Sequence, residues 1–271
     1  MPSLDLDMDE LRAALSDRVI GKRIVYLDSV SSTMDEARRI AEAAEPEGTV
    51  VVAEEQTAAR GRFNRAWVSP LGVYVVFSVL LRPCRAQLPH VNMAATLAVS
   101  KTVEHFTGLV PSTKWPNDVR LGGRKISGIL VEAAMQGNEA AHAVVGIGIN
   151  VNFDTSHSKE ISSTATSMMT ETGRRFRRGE VLQHVLESMD DLYGRVSRGE
   201  SLTPEWSDSL ETLGRTVRLE WKGSVVEGFA EAVDERGNLV LSSSDGSTFT
   251  AVAGEVTLQS GDGAEIEVGN A

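Results

Sequence analysis

Residues 114–132 carry the densest group of side chains able to do chemistry. Cationic, amide and carboxylate groups stand close together there, at Lys114, Asn117, Asp118, Arg124 and Lys125. Such a mixture can hold an anion beside an amide-like group, because charged donors make strong hydrogen bonds to phosphate and carboxylate oxygens. A hairpin with a purely structural role needs none of these groups. We therefore predict a ligand-facing segment.

A second group of cations follows Gln56. Arg60, Gly61 and Arg62 are followed by a third arginine at position 65, and Trp67 comes two residues later. Three arginines around a flexible glycine suit an anion through charge-assisted hydrogen bonds, and arginine and tryptophan both suit an aromatic ring through stacking. A solvated basic loop remains the plain alternative.

The elements that position the first group form a predicted hairpin. Residues 119–121 and 125–131 have the apolar content of two strands, and Gly122 with Gly123 between them supplies the positive φ angles of a two-residue turn. Pro116 favours an extended chain before the first strand. Gly128 interrupts the second strand, which usually marks a bulge or a ligand lying against the backbone.

The rest of the chain predicts an α+β fold. Helices are expected over residues 1–20, with Leu11, Leu15 and Val19 at helical spacing, and over 34–44, 91–106 and 179–196. Strands are expected over residues 24–27, 49–54, 73–81 and 140–152. Ser32 and Thr33 stand where side chains cap the second helix. The polar residues 153–178 are predicted to form a mobile loop.

The character of the chain changes near residue 213. Five short strands joined by turn signals are predicted over residues 217–221, 224–233, 238–242, 248–252 and 256–258, which suggests a small barrel. We therefore divide the chain into three parts: a large domain over residues 1–213, a small barrel over 214–260 and a disordered tail over 261–271. The large domain begins with a short helical segment over residues 1–22.

Composition narrows the classes of partner. The 271 residues carry a formal net charge of −11, which argues against long DNA or RNA as the main partner. One cysteine, Cys84, cannot form an internal disulfide, so a reducing cytoplasm is the expected setting. No signal peptide or membrane-spanning apolar run is evident, and the five histidines lack close metal-ligand spacing.

Two nucleotide-binding patterns are also excluded. Gly146 and Gly148 superficially resemble a dinucleotide fingerprint, but the third glycine is missing and the pair falls inside a predicted strand. The chain contains no P-loop motif either. A nucleotide that binds here must therefore use another kind of site.

Five motifs in a fixed order resemble those of the biotin protein ligases. They are Ser32-Thr33-Met34 at a helix start, Gln56 with Arg60-Gly61-Arg62 and Trp67, the run Lys114-Trp115-Pro116-Asn117-Asp118, the run from Lys125 through Gly128 to Glu132, and Gly146-x-Gly148-x-Asn150-x-Asn152. The resemblance extends from Tyr26 to the end of the chain. It is specific because all five motifs occur in the family's order.

This resemblance implies a fold and an activity. The fold is a mixed, largely antiparallel sheet flanked by helices, as in class II synthetase-like biotin and lipoate ligases, with a small C-terminal SH3-like β-barrel. Family members use ATP and Mg²⁺ to convert biotin into biotinyl-5′-adenylate, and then biotinylate one lysine of the biotin carboxyl carrier protein of a biotin-dependent carboxylase. A cytoplasmic monomer or homodimer without DNA or membrane partners is expected.

The resemblance also implies roles for individual residues. The catalytic group is Lys125, Arg62 and Asp118, with Asp118 orienting or deprotonating the incoming lysine. The biotin group is Ser32, Thr33, Met34, Gln56, Arg60, Gly61, Arg62, Lys125 and Gly128. The ATP and adenylate group is Arg60, Arg62, Trp67, Lys114, Asn117, Lys125 and Asn150. No metal ligand is expected from the protein itself.

Departures from the family pattern affect the pocket and the loop. Met34 replaces the usual asparagine and removes a polar side chain beside the predicted ureido site, while Ala59 and Asn64 replace glycines and restrict the loop backbone. A lipoate ligase and a non-catalytic biotin or adenylate sensor remain as alternatives. A repressor is less favoured, because the residues before the first strand are too few for a winged-helix DNA reader.

Overall fold

The computed structural model describes residues 5–65, 67, 71–155, 159–221, 223–243 and 245–258, which form two β-sheets, seven α-helices and one short 3-10 helix (Arg62–Asn64). The first sheet contains β1 (Ile24–Val30), β2 (Val50–Gln56), β3 (Tyr74–Leu81), β4 (Ser112–Lys114), β5 (Asp118–Leu121), β6 (Arg124–Gln136) and β7 (Glu139–Asn150). The second contains β8 (Thr216–Trp221), β9 (Ser224–Val233), β10 (Leu239–Ser242), β11 (Thr248–Ala251) and β12 (Glu255–Leu258). The helices are α1 (Met8–Ala14), α2 (Thr33–Glu42), α3 (Leu88–Thr107), α4 (Lys159–Thr164), α5 (Met168–Thr172), α6 (Arg178–Ser197) and α7 (Thr203–Asp208).

The first sheet is mixed and lies between helices. Its strand order is β1-β2-β3-β7-β6-β5-β4, in which β1 and β2 are parallel and the remaining neighbours are antiparallel. The long helices α3 and α6 cover one face and bury the larger apolar core, which contains Phe77, Met93 and Met189. Helix α2 covers the other face through a smaller apolar cluster. This arrangement confirms the predicted α+β fold.

The predicted hairpin is present as β5 and β6. Leu121 pairs with Arg124, and Gly122 and Gly123 form the turn with φ angles of 57° and 77°. Positive φ at both central residues is what a two-residue turn between twisted antiparallel strands requires. Asp118 pairs with Gly128 in the same ladder. The carboxylate predicted to act on the incoming lysine therefore lies beside the glycine where a ligand is predicted to lie against the backbone.

The second sheet confirms the five strands predicted after residue 213. All four of its strand pairings are antiparallel, in the order β11-β10-β9-β8-β12. The predicted limits of the barrel and the division of the chain at residue 213 stay predictions. The predicted disordered tail, residues 261–271, lies outside the described residues.

Two local predictions were wrong. Residues 153–178 contain α4 and α5 where a loop was expected; α5 forms because Ser167 accepts the Thr170 N–H and Met168 is fully buried. The first helix ends at Ala14, whereas a helical pattern was predicted as far as residue 20. Val19 is 54% exposed, and its N–H is bonded instead to the Asp190 carboxylate.

The helices were also compared with the length and apolarity needed to cross a bilayer. Among the described residues, none is long and apolar enough to do so.

Candidate active site

One cavity of about 330 Å³ lies between the first sheet, the loop after β2 and the start of β12. We call residues 57–65 of that loop the arginine loop. The described lining includes thirteen of the fourteen residues predicted for the site, which are Ser32, Thr33, Met34, Gln56, Arg60, Gly61, Arg62, Trp67, Lys114, Asn117, Asp118, Lys125 and Gly128. Asn150 is not among the described lining residues. Chain segments far apart in sequence therefore meet around one space.

A compact polar cluster lies at the start of α2. The backbone N–H and hydroxyl of Thr33 both donate to the Gln56 side-chain oxygen, at 2.8 and 3.0 Å, and Ser78 Oγ donates to Thr33 Oγ1 at 2.9 Å. Ser32 stands at the N-cap but its side chain makes no capping hydrogen bond. Capping of α2, the alternative to ligand binding at this position, therefore does not describe Ser32. The cluster offers hydroxyl and amide groups to a small polar ligand.

Sequence reasoning missed Ser78. It lies on β3, is fully buried, and faces the polar cluster from within an otherwise apolar strand. A single serine among the aliphatic and aromatic residues of Tyr74–Leu81 was the available signal, because buried hydroxyls require a hydrogen-bond partner.

Glycines leave room for side chains over the central strands. A Cβ atom added to Gly146 would lie 2.5 Å from the Met34 sulfur, and one added to Gly148 would lie 2.7 Å from the Trp67 ring. At Gly128 the added atom would meet Lys125 at 3.1 Å and Trp67 at 3.2 Å. Met34 is buried and packs in the smaller apolar cluster. Its replacement of asparagine thus gives the cavity wall an apolar group.

Two ion pairs join the arginine loop to neighbouring elements. Arg60 makes a bidentate contact with Asp35 on α2, at 2.5 and 3.1 Å. Arg65 makes a bidentate contact with Glu255 on β12, at 2.5 and 2.6 Å. Arg65 is two-thirds exposed, so this second contact is accessible to salt.

Arg62 lies between these two arginines and lines the cavity. It donates to the Asn117 side-chain oxygen at 3.1 Å and to the Gly254 carbonyl at 3.0 Å. Burial lowers the pKa of Arg62 from its ordinary value. The guanidinium nevertheless stays charged at neutral pH, since arginine's ordinary pKa is above 12. A partly desolvated cation of this kind is placed to receive an anion.

Lys125 and Asp118 face each other on the hairpin. Lys125 Nζ lies 2.7 Å from Asp118 Oδ1 and 5.7 Å from the centre of the Trp67 ring. Lys114 lies nearby at the end of β4, where burial lowers its pKa. The cavity thus holds a lysine and a carboxylate in direct contact, with a second lysine beside them.

The two asparagines predicted to contact adenine are engaged with the protein. Asn117 Nδ2 donates to the Ile129 carbonyl at 2.5 Å, while its oxygen accepts from Arg62. Asn150 Nδ2 donates to the Thr166 carbonyl at 2.7 Å, and its buried oxygen has no hydrogen-bond partner among the described residues. Their adenine roles stay predictions.

The second sheet contributes a wall that sequence reasoning did not identify. Gly254, Glu255 and Val256 line the cavity and meet the arginine loop from the start of β12. The Arg65 and Glu255 partners are 190 positions apart in the chain. A contact between such distant positions leaves no local pattern to read.

The described residues contain no group of three or more His, Cys, Asp or Glu side chains suited to a metal ion. Two carboxylates line the described cavity, Asp118 and Glu255, and each is paired with a cation. This donor set suits the binding of anions by cationic side chains.

Two family descriptions match the chain. Residues 26–150 match the Biotin/lipoate A/B protein ligase family, and residues 212–269 match the Biotin protein ligase C terminal domain. The first match covers the hairpin, the arginine loop and the polar cluster. The second covers all five strands of the second sheet.

Known proteins resemble this chain over most of its length. It is 34% identical to the bifunctional ligase/repressor BirA of Bacillus subtilis over 89% of this chain and 76% of that protein. It is 30% identical to the biotin--[acetyl-CoA-carboxylase] ligase of Mycobacterium tuberculosis over 92% of this chain and 98% of that protein. The structure of an Aquifex aeolicus biotin protein ligase in complex with biotin and ATP matches with a TM-score of 0.74 and 30% identity, over 88% of this chain and 99% of that one. The chain therefore belongs to the biotin protein ligase family.

Proposed function

We propose that this enzyme forms biotinyl-5′-adenylate in the described cavity and transfers the biotinyl group to one lysine of a biotin carboxyl carrier protein. One observation carries the proposal. The Thr33–Gln56 polar cluster, the Lys125–Asp118 pair and Arg62 all line the same space. Biotin and ATP are bound by the similar Aquifex aeolicus ligase, which supports the choice of substrates.

Biotin is proposed to place its ureido ring at the polar cluster. The hydroxyls of Ser32 and Thr33 and the amide of Gln56 supply both donors and acceptors, as a ureido group requires. The apolar wall at Met34 accommodates the rest of the bicyclic ring. The valeryl chain then extends towards Lys125, which places the biotin carboxylate among the cations.

The first step needs two anions to be brought together. A biotin carboxylate oxygen attacks the α-phosphorus of ATP, the bond to the β-phosphate breaks, and pyrophosphate leaves with the electron pair. Lys125 and Arg62 stabilise the negative charge that develops on the α-phosphoryl oxygens, because cationic donors aimed at a transition state act most strongly where water is excluded. Mg²⁺ enters as part of the ATP substrate and neutralises phosphate charge.

ATP is proposed to lie along the wall made by Trp67, Lys114 and Asn117. Trp67 offers a ring face to adenine, and Lys114 offers its charge to the phosphates. Arg60 and Gly61 close the arginine loop over the product. The contact between Arg60 and Asp35 holds the Arg60 side chain at the cavity wall.

The second step needs a neutral amine. The carrier lysine attacks the carbonyl carbon of the adenylate, its proton passes to the Asp118 carboxylate, and AMP leaves with the bonding electrons. In the structure Asp118 is paired with Lys125 at 2.7 Å. When Lys125 turns towards the phosphate, the Asp118 carboxylate is released to act as the base.

The direct test is to incubate the purified protein with biotin, Mg²⁺-ATP and a carrier domain, and to weigh the carrier by mass spectrometry. We expect one biotinyl increment on one lysine. A carrier in which that lysine is replaced by arginine serves as the control and is expected to stay unmodified.

Two other outcomes would overturn the proposal. Modification by lipoate in place of biotin would identify a lipoate ligase. Tight binding of biotin and ATP with no pyrophosphate release would identify a non-catalytic sensor.

A further inference from the structure

The backbone at Lys125 lacks a neighbour on one side within the sheet. On β6 the pairing with β7 begins at Ser127, which faces Ile149, and β7 ends at Asn150. Lys125 lies two residues before that pairing begins, next to the hairpin turn. A strand end without a partner has unpaired backbone groups and moves more easily than the middle of a sheet.

A segment from outside the sheet occupies the vacant side. Ala165 forms a parallel bridge with Lys125, and the Thr166 N–H donates to the Lys125 carbonyl at 2.9 Å. Asn150 Nδ2 donates to the Thr166 carbonyl at 2.7 Å, which joins the end of β7 to the same segment. The backbone of the proposed catalytic lysine is therefore fixed by residues 165–166.

Glu171 connects this segment to the hairpin. One of its carboxylate oxygens accepts from Thr166 Oγ1 at 2.5 Å and from Arg124 Nη2 at 2.6 Å. Arg124 immediately precedes Lys125, and Thr166 is fully buried. The Glu171 carboxylate thus joins Arg124, which precedes Lys125 in the chain, to Thr166, whose N–H bonds to the Lys125 carbonyl.

The helix that carries Glu171 is itself anchored. Glu171 lies on α5, where Ser167 accepts the Thr170 N–H at 3.0 Å and donates to the Phe153 carbonyl at 2.5 Å. Met168 on the same helix is fully buried in the main core. Motion of the hairpin end must therefore strain contacts that reach into the core.

We propose that Glu171 is a positioning residue that acts through Lys125, with Thr166 as the connecting group. The inference rests on the proposed function, in which Lys125 Nζ stabilises the charge developing on the phosphate. A displacement of about 1 Å in a positioning group can reduce the rate of a reaction by about a hundredfold. Substrate binding depends on many other contacts and should change little.

The test measures biotin-dependent exchange of pyrophosphate into ATP in the full chain. We expect Glu171→Ala to lower kcat about tenfold, with the KM values for biotin and ATP changed by less than about twofold. Glu171→Gln keeps an oxygen for Thr166 and loses the charge that faces Arg124, so it should recover part of the rate. Thr166→Val keeps the backbone bond to Lys125 and the side-chain shape, and should lower kcat by a smaller factor.

A matched control is Glu205→Ala. Like Glu171, Glu205 accepts from two side chains, here Lys101 at 2.7 Å and Arg195 at 2.8 Å, and it is not among the residues that line the cavity. Its loss should lower the melting temperature as much as Glu171→Ala does and leave kcat unchanged. Equal kcat losses in the two variants would overturn the positioning role.

A double-mutant cycle separates positioning from general damage. If Glu171 acts through Lys125, Glu171→Ala should have no further effect on kcat in a Lys125→Ala enzyme. If Glu171→Ala causes the same tenfold loss of kcat with and without Lys125, the role proposed for Glu171 is overturned and the role of Lys125 is not. A wild-type rate in Lys125→Ala would overturn the role assigned to Lys125 and, with it, the role of Glu171. If Glu171→Ala fails to fold, Thr166→Val and Glu171→Gln take its place, and their effects on kcat are compared in the same way with and without Lys125.

Discussion

The β5–β6 hairpin and the arginine loop face the same cavity but are held by different kinds of contact. Strand pairing, buried side chains and the bridge from Ala165 to Lys125 fix the hairpin. The arginine loop is tied to the chain before α2 by backbone hydrogen bonds at Thr57 and Ala58. Beyond them, Arg60 and Arg65 contact the protein through ion pairs to Asp35 and Glu255, which are partly open to water. From this difference we expect the hairpin to keep the proposed reacting groups in place and the loop to change its partners when ligand binds.

The largest effect is expected where the hairpin meets the reaction. Lys125→Ala should lower adenylation, measured as pyrophosphate exchange, about a hundredfold or more, as the loss of one transition-state donor does. Lys101→Ala is the control, because Lys101 is half-exposed on α3 and is not among the cavity residues. A rate within twofold of wild type would show that the hairpin does not carry the chemistry.

Asp118→Ala should separate the two steps. We expect transfer from preformed adenylate to a carrier to fall about a hundredfold, since a general base contributes that much or more. Adenylate formation should fall less than about tenfold, because no proton is removed in that step. Single-turnover assays of each step provide the measurement. Equal losses in both steps would contradict the assignment of Asp118 to transfer.

Lys114→Met tests whether the charge of Lys114, on the hairpin side of the cavity, lowers the stability of the folded protein and contributes to ATP binding. Burial lowers the pKa of Lys114, so its value in the folded protein lies below the ordinary 10.5 of the unfolded chain. Below the folded pKa the charge is present in both states and disfavours folding, and this cost disappears as pH rises through the folded pKa towards 10.5.

The neutral variant should therefore melt about 2 °C higher at pH 7, with the gain shrinking as the pH approaches 10. Its KM for ATP should rise about tenfold, the usual loss for one hydrogen bond to a charged group. Thermal melts at several pH values and steady-state kinetics provide the test. A lower melting temperature at pH 7 would show that the charge stabilises the fold.

The smallest effect is expected in the arginine loop. Asp35→Asn removes the charge that Arg60 contacts, and because the pair is partly exposed we expect the KM for biotin to rise about threefold or less. The difference from wild type should shrink at high salt. A change of tenfold or more that is insensitive to salt would mean that the loop is held as firmly as the hairpin.

The sequence predicted the hairpin better than the loop, for a physical reason. A turn of two glycines between apolar runs specifies its own pairing, and the alternation of strands and turn residues after residue 213 does the same for the second sheet. Both signals are local. The motifs shared with the family placed the cavity residues, although their individual roles stay predictions.

What the sequence did not reveal depends on distant partners. The contact of Arg65 with Glu255 and the bridge of Ala165 to Lys125 join segments with no shared pattern. The polar residues 153–178 gave no apolar periodicity, yet α5 forms there because tertiary contacts at Ser167 and Met168 stabilise it. Local propensity could not indicate either result.

The contact of Met34 with Gly146 has a consequence for how this pocket can change. Because a methyl group at position 146 would stand 2.5 Å from the Met34 sulfur, the two positions form a matched pair, one protruding and one recessed. A larger residue at 146 is compatible only with a smaller one at 34. A pocket reshaped for an enlarged biotin analogue should therefore be sought first by shortening Met34 while Gly146 is kept, and alanine at both positions would largely refill the opened space.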